Sequence, residues 1–240
     1  STLMRSSAAS DVYKRQGSSK FAKGHRWGFF PSVSAGYRIS EENFIKDTDA
    51  LSFLTNWKIR ASYGVLGDDG SSSYQFLSGY DYPGAGYVFG TEAYKGLGFR
   101  GLPNPSITWY TSKTLNVGTD LDLFNGLFSF QIDFFWRYRD GLLGKRNQEV
   151  PGTIGAEMPE ENLNQDLYKG FEVVLGHRNQ IRDFRYSVSL NFALTRKMNR
   201  KLVEGDAVNS YDRWRGKYSN RYSDMGWGYG SNGQYTSMED

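Results

Sequence analysis

Six segments of this chain alternate apolar and polar residues with period two, over 9 to 12 residues each. In Phe29–Ile39 one face carries Phe29, Val33, Ala35, Tyr37 and Ile39, and the other carries Ser32, Ser34, Gly36 and Arg38. Trp57–Leu66, Thr114–Leu123, Phe128–Tyr138, Lys169–His177 and Phe184–Thr195 repeat the pattern. Successive strand side chains point to opposite faces, so each segment makes a strand that is apolar on one side and wet on the other. The length of these strands narrows the choice of fold. Sandwich strands usually run ~5–6 residues. Eleven residues at ~3.4 Å each, tilted by ~40°, rise roughly 28 Å, which matches the ~25 Å apolar band of an outer-membrane barrel. Aromatic residues near strand ends (Trp27, Phe29, Trp57, Phe128, Trp136, Tyr138) fit the interface girdles of such a barrel. A soluble carbohydrate-binding β-sandwich with a wet outer face stays open as the alternative, as does an outer-membrane barrel with another role.

Composition agrees with a β-rich chain. Of 240 residues, 39 are aromatic (6 Trp, 17 Tyr, 16 Phe), 28 are Gly and 6 are Pro. The mean hydropathy of −0.61 looks soluble, but a barrel that alternates lipid-facing and water-facing residues is equally polar on average. No apolar run approaches the ~18–20 residues of a transmembrane helix. Residues 1–16 lack the alternation and have no signal-peptide core. Within them, Ser6–Gln16 reads like a translated sequencing adaptor. They are expected to be a non-native or disordered prefix that makes no stable contact with the sheet, leaving 17–240 as the barrel segment. The prefix holds +2 of the net +3 charge. The remaining +1 is no footprint for nucleic acid.

The connections carry a second signal. Asn125-Gly126 marks a tight hairpin turn of type I′, and Arg178–Asp183 is another short turn. The segments 67–112, 139–168 and 196–240 are long and polar or Gly-rich. A short helix is expected around Asp49–Leu54, and an extra hairpin of Tyr74–Tyr80 with Tyr87–Thr91. Outer-membrane barrels alternate short periplasmic turns with long extracellular loops, so the three long segments are expected outside. The fold class is therefore all-β: an open, curved antiparallel sheet of about six to eight long strands. The sets Phe29/Val33/Tyr37 and Phe130/Phe134/Trp136 are expected to face lipid.

Chemistry is sparse. There is no Cys, and the two His, His25 and His177, lie far apart without metal-ligand spacing. Gly67–Gly70 lacks the ligand spacing of an EF-hand loop and reads as a turn. Glu160 and Glu161 are adjacent, whereas paired glycosidase carboxylates come from separate elements. The chain is read as a non-enzyme with no cofactor and no metal. The aromatic stretch from Tyr211 stands out. Trp214, Tyr218, Tyr222, Trp227 and Tyr229 sit among Arg213, Arg215 and Arg221. Rings beside Arg can stack on sugar faces, on single-stranded bases or on a protein partner. The bland alternative is packing of this loop against the barrel rim. These five residues are the ligand- or lid-contacting candidates.

Several long motifs then coincide in order: SKFAKGHRWGFFPSVSAGYRISEENF, WKIRASYGVLGDDG, LPNPSITWYTSKTLNVGTDLDLFNG, GTIGAEMPEENLN with KGFEVVLG, and GYGSNGQYTSMED. Together they resemble the SusC/RagA family of TonB-linked outer-membrane transporters, from about Gly17 to Asp240. One departure is Tyr110, which stands where the family usually has an acid after the Trp. The resemblance implies a segment of a 22-stranded transmembrane barrel in a Gram-negative, Bacteroidota-like outer membrane, importing glycans or other oligomeric nutrients. It implies contact with outer-membrane lipid, a SusD-like surface lipoprotein as lid, an oligosaccharide or peptide substrate, and TonB through an N-terminal part outside these residues. With no plug among them, the chain is expected to be a piece of the C-terminal barrel that does not transport alone.

Overall fold

The computed structural model describes residues 7–146, 153, 158–205 and 207–226. Among these residues there are ten strands: β1 (Ser7–Gly17), β2 (Trp27–Arg38), β3 (Leu54–Asp68), β4 (Tyr80–Phe89), β5 (Glu92–Phe99), β6 (Tyr110–Leu123), β7 (Phe128–Lys145), β8 (Glu160–Ile181), β9 (Phe184–Lys201) and β10 (Arg221–Tyr222). Eight of them form one sheet in the order β1-β2-β3-β6-β7-β8-β9-β10, and every neighbouring pair is antiparallel. Strands β4 and β5 make a separate two-stranded hairpin.

The register aligns the apolar sets of neighbouring strands. Val33 lies opposite Tyr63, Tyr63 opposite Leu115, Leu115 opposite Trp136 and Trp136 opposite Lys169. Val117, Phe134, Phe171 and Leu194 form another such row, closed by ring contacts such as Phe134–Phe171 at 6.1 Å. Directly opposed residues share a face, so one face of the sheet is a continuous apolar belt from β2 to β9. Nothing in the described chain covers it: Val188, Leu190, Phe192 and Leu194 are 55–63% exposed. The other face carries Ser34, Ser62, Asn116, Gln131, Glu172 and Asn191. An uncovered apolar belt on well-paired strands is stable where hydrocarbon is the solvent. The sheet is not packed face to face on a second one, so the sandwich alternative is set aside.

Connections sort by end. The 124–127 turn, the 182–183 turn and the 39–53 link lie at one end, and 18–26, 69–109, the ends of β7 and β8 that their connection joins, and the described residues after β9 lie at the other. The link holds the expected helical turn, 3-10 at Asp49–Leu51, and also a one-turn helix, α1 (Asn43–Lys46). In the 124–127 turn Phe124 and Asn125 have φ of 50° and 55°.

Three expectations need correction. Residues 7–17 are not free of the sheet: β1 pairs with β2 along eleven residue partners. An edge strand offers a row of unsatisfied N–H and C=O groups, and any extended chain of sufficient length can pair with them whatever its side chains. The extra hairpin exists but is displaced, running Tyr80–Phe89 with Glu92–Phe99. Its turn is at Gly90, whose φ of 67° favours glycine, while Tyr74 lies in a turn ahead of it. The 139–168 segment is largely strand: β7 continues to Lys145 and β8 begins at Glu160. This extension carries Leu142 and Leu143 side by side and a bulge in the β7–β8 register, so its apolar residues do not follow period two.

Candidate functional site

The loop end is organised by a small core and by side chains that bridge segments. Phe21, Phe30, Ile107 and Trp109 are buried together, with the Phe21 and Phe30 rings set edge-on to Trp109 at 5.4 and 5.5 Å. This packs the 18–26 loop and the end of the 69–109 loop onto the sheet. Asn162 fixes the same region. Its Oδ1 accepts from the Thr108 N–H at 2.9 Å, and its Nδ2 donates to the Thr108 and Gly141 carbonyls at 2.9 and 2.7 Å. Gln75 donates to Glu160 at 2.5 Å, and Asn104 donates to the Glu160 carbonyl at 2.6 Å. Ser18 donates to Asp69 at 2.7 Å. That hydrogen bond, opposed by burial and aided by Lys20, holds the Asp69 carboxyl below its ordinary range.

After β9 the chain folds over the same end. Glu204 accepts from the backbone N–H groups of Tyr218 and Ser219 at 2.7 and 2.6 Å. Burial pushes the Glu204 carboxyl up, but the hydrogen bonds from Ser219 and Tyr218, with Lys217 nearby, outweigh it and the net direction is down. A short helix, α2 (Ser210–Gly216), starts at Asn209, whose side chain accepts from the Asp212 N–H. Two adjoining clefts lie here. One of about 840 Å³ is lined by Glu204, Val208, Asp212 and Arg213, and one of about 310 Å³ by Asp212, Arg215, Tyr218 and Met225.

The five aromatic candidates separate. Trp214 and Tyr218 are about half exposed, at 50% and 53%, and of the two Tyr218 lines the smaller cleft. Tyr211 neighbours Trp214 at 6.2 Å, and the Arg221 guanidinium lies over the Trp214 ring at 5.7 Å. Tyr222 pairs with Met198, so it sits on the apolar face, with the Arg196 guanidinium over its ring at 3.7 Å. Trp227 and Tyr229 lie outside the described residues.

The polar face carries two ion-pair groups that period two could not reveal. Arg60 binds Asp120 at 3.1 Å and reaches across β6 to Asp133 at 2.5 Å. Gly118 stands between Arg60 and Asp133 in the register. A Cβ there would lie 2.4 Å from Asp133 Oδ1 and 3.1 Å from the guanidinium carbon, so the reach needs glycine. Arg139 binds Asp166 at 2.8 Å, with its guanidinium 5.0 Å over Tyr168 and Lys197 at 3.5 Å from the same carboxylate. Asp166 is 2% exposed. These clusters give a charged, hydrogen-bonding wall. The alternation marks Arg60, Asp120 and Asp133 as facing the polar side, but the cross-strand register that joins them, and all of the Arg139–Asp166 group, lie outside any alternating window.

Among the described residues the histidines and the adjacent glutamates are held apart. His177 is at the turn end on the apolar face, 3.1 Å from the Tyr186 hydroxyl, while His25 is in the loop end. Glu160 and Glu161 have separate partners, Gln75 and Arg146. No group of three potential metal ligands occurs among the described residues.

A family model described as "TonB dependent receptor-like, beta-barrel" matches residues 5–240. The chain is 32% identical over 194 residues to TonB-dependent receptor P3 of Formosa agariphila, covering 80% of this chain and 19% of that protein. It is 31% identical over 201 residues to TonB-dependent receptor SusC of Bacteroides thetaiotaomicron, covering 81% and 19%. Among solved structures, the RagAB peptide transporter superposes with a TM-score of 0.70 at 22% identity, covering 84% of this chain and 21% of that one. The chain thus spans about a fifth of the length of these relatives.

Proposed function

We propose, from the premise that the chain belongs to the TonB-dependent receptor-like β-barrel family, that it supplies wall and outer rim to an importer of oligomeric nutrients. It is an outer-membrane β-barrel protein segment, its apolar belt in lipid and its polar face toward the lumen. Import of an oligosaccharide or a peptide is the whole protein's activity, energised through TonB. A SusD-like surface lipoprotein closing over the loop end is part of this reading. Trp214 and Tyr218 are the residues of this chain proposed to meet ligand or lid. The single observation that supports the reading best is the conjunction of an uncovered apolar belt with long connections gathered at one end.

The test is sidedness in whole cells. Val208 is 95% exposed at the loop end, and Asn125 is exposed at the turn end. In the outer-membrane protein that carries this chain, Val208→Cys should react with an impermeant thiol reagent and Asn125→Cys should not. The reverse pattern would put the turns outside and remove Trp214 and Tyr218 from the ligand's side. Uptake of labelled oligosaccharide or peptide that survives collapse of the proton-motive force would refute TonB-energised import.

A further inference from the structure

We propose that the polar face carries, toward the loop end, a cationic subsite that takes the carboxylate or sulfate groups of an acidic oligosaccharide. The inference deepens the import reading above and rests on its placing of the polar face toward the lumen. Tyr168 is the centre of the subsite. In the register Arg137 opposes it from β7 and Lys197 opposes it from β9. One step nearer the loops on the same face, Arg139 opposes Asp166. The Arg139 guanidinium and the Lys197 ammonium lie over the Tyr168 ring at 5.0 and 5.8 Å. Both also bind the buried Asp166 carboxylate. Arg137 is exposed and has no ion pair or hydrogen bond among the described residues. Strands two apart in a sheet are separated by about 10 Å, so three cations face one acid within that span. Arg221 stands on the same face, opposite Asn199, and its guanidinium over the Trp214 ring ties that ring to the subsite.

Other acids of the loop end are committed elsewhere. Asp68 meets the Tyr110 hydroxyl, Asp69 accepts from Ser18, and Glu204 accepts from the Tyr218 and Ser219 N–H groups. Nearer the turns the sign of the wall reverses. There two cations, Lys58 and Arg60, share the face with four acids, Asp120, Asp122, Asp133 and Glu172. Arg38 reaches Glu41, and at the turn rim Arg178 and Arg185 bond the Gly126 carbonyl and Gln180. A positive zone at the mouth above a negative one draws anions in and holds them at that level. The groups around Arg137 suit a sugar chain. Thr114 is directly opposite it, Ser112 and Asn116 are the next residues of β6 on that face, and Thr195 follows Lys197 on β9. These supply hydroxyl and amide groups to a polyhydroxylated ligand. Below Arg137 the Phe135 ring lies over Gly170, where a Cβ would come within 2.6 Å of it, and makes an apolar floor.

The experiment uses the outer-membrane protein that carries this chain, purified in neutral detergent, with binding followed by calorimetry. The probes are a galacturonate tetrasaccharide, a sulfated galactose tetrasaccharide, its desulfated form, pentaglutamate and inorganic sulfate. At least one acidic tetrasaccharide should bind more tightly than the desulfated one, and which of them does so separates carboxylate from sulfate. Arg137→Gln should weaken that probe roughly 10- to 100-fold, as the loss of a hydrogen bond between charged groups implies. It should leave the desulfated tetrasaccharide unchanged. Lys95→Gln, which removes an exposed cation on the β4–β5 hairpin, should change neither. The proposal is overturned if no acidic tetrasaccharide outbinds the neutral one, or if Arg137→Gln binds as the unaltered protein does. An Arg137-dependent affinity for pentaglutamate alone overturns it in favour of acidic peptides. Full competition by inorganic sulfate at the tetrasaccharide's own concentration also overturns it, because the sugar then has no part. The lumen reading has a separate test in the membrane-inserted protein. Arg137→Cys should react with a small water-soluble thiol reagent, and Val117→Cys on the apolar face should not. The reverse labelling sinks the lumen reading itself, whereas the expected labelling with indifferent affinity sinks only the subsite.

Discussion

Replacing Phe134 with Arg isolates the property that decides between lipid and water. Phe134 lies on the apolar face of β7, between Val117 and Phe171, and is 48% exposed in the chain alone. In water, a change at so exposed a position would be worth about 0.5–1 kcal/mol at most, mainly from the lost ring contact with Phe171. In a bilayer the same guanidinium replaces an aromatic ring near the middle of the apolar run, and Arg on the lipid face near mid-depth costs ~2–4 kcal/mol. That is roughly a 30- to 900-fold shift in the folding equilibrium. Gln131→Arg is the matched control. Gln131 is exposed on the polar face opposite Asp120, so its replacement should change stability by less than about 0.5 kcal/mol in either medium. The assay is urea-dependent folding of the barrel protein into phosphatidylcholine vesicles, followed by tryptophan fluorescence. Equal effects of the two substitutions, or a larger one for Gln131→Arg, would show that the faces are reversed or that neither meets lipid.

Gly118→Ala should destabilise the barrel by about 1–3 kcal/mol, because its methyl displaces Asp133 and breaks the reach of Arg60; urea titration measures it, and a change under about 0.5 kcal/mol would refute the close approach. Glu204 is held below its ordinary value, so its anchorage of Tyr218 and Ser219 is fully present above the unfolded value of about 4.3 and is lost as pH falls through the lower folded value. Exchange protection of the Ser219 amide, corrected for intrinsic rate, should hold at neutral pH and fall only in that acid window; Glu204→Gln should remove the pH dependence. Trp214→Ala with Tyr218→Ala should weaken ligand or lid binding by ~1–3 kcal/mol per stacking ring, measured by titration, and unchanged affinity would return both rings to rim packing. Deleting residues 1–16 should leave vesicle insertion unchanged, and a loss of folding yield would make β1 part of the membrane fold.

The strands were readable wherever one face meets a different solvent from the other. Val33, Tyr63, Leu115, Phe134 and Phe192 each fall on the expected face, because a period-two pattern directly records which side is apolar. The same logic explains where reading stopped. From Asp140 to Lys145 and from Glu160 to Tyr168 apolar residues such as Leu143 and Leu167 no longer recur with period two, and Asn162 and Arg139 tie the strands together. Arg60 and Asp133 each fall on the polar side of an alternating segment, whereas Arg139 and Asp166 lie in the 139–168 segment expected to be a loop. Their partnership depends on register across strands 27 to 73 residues apart in sequence, which no local window contains. Composition does not distinguish the faces on which Tyr222, Trp214 and Tyr218 lie; for Tyr222 its pairing with Met198 does.

Strand β1 shows the limit of backbone pairing as a guide to membership in a membrane wall. It matches β2 along its whole length, and Tyr13 stacks on Phe29 at 5.9 Å while Arg15 lies over Trp27 at 4.5 Å. Yet the register sets Asp11 opposite Val33 and Arg15 opposite Phe29, so it puts an acid and a cation onto the apolar face. A charge on the lipid face away from the interface costs up to a few kcal/mol, while the hydrogen bonds of the ladder are indifferent to side chains. The pairing thus satisfies the open edge of β2 without extending the belt that runs from β2 to β9. Backbone complementarity decides that a strand is added there, and side-chain alternation decides whether that strand can stand in lipid. For Ser7–Gly17 the two give different answers: the ladder adds the strand, and Asp11 and Arg15 oppose its standing in lipid.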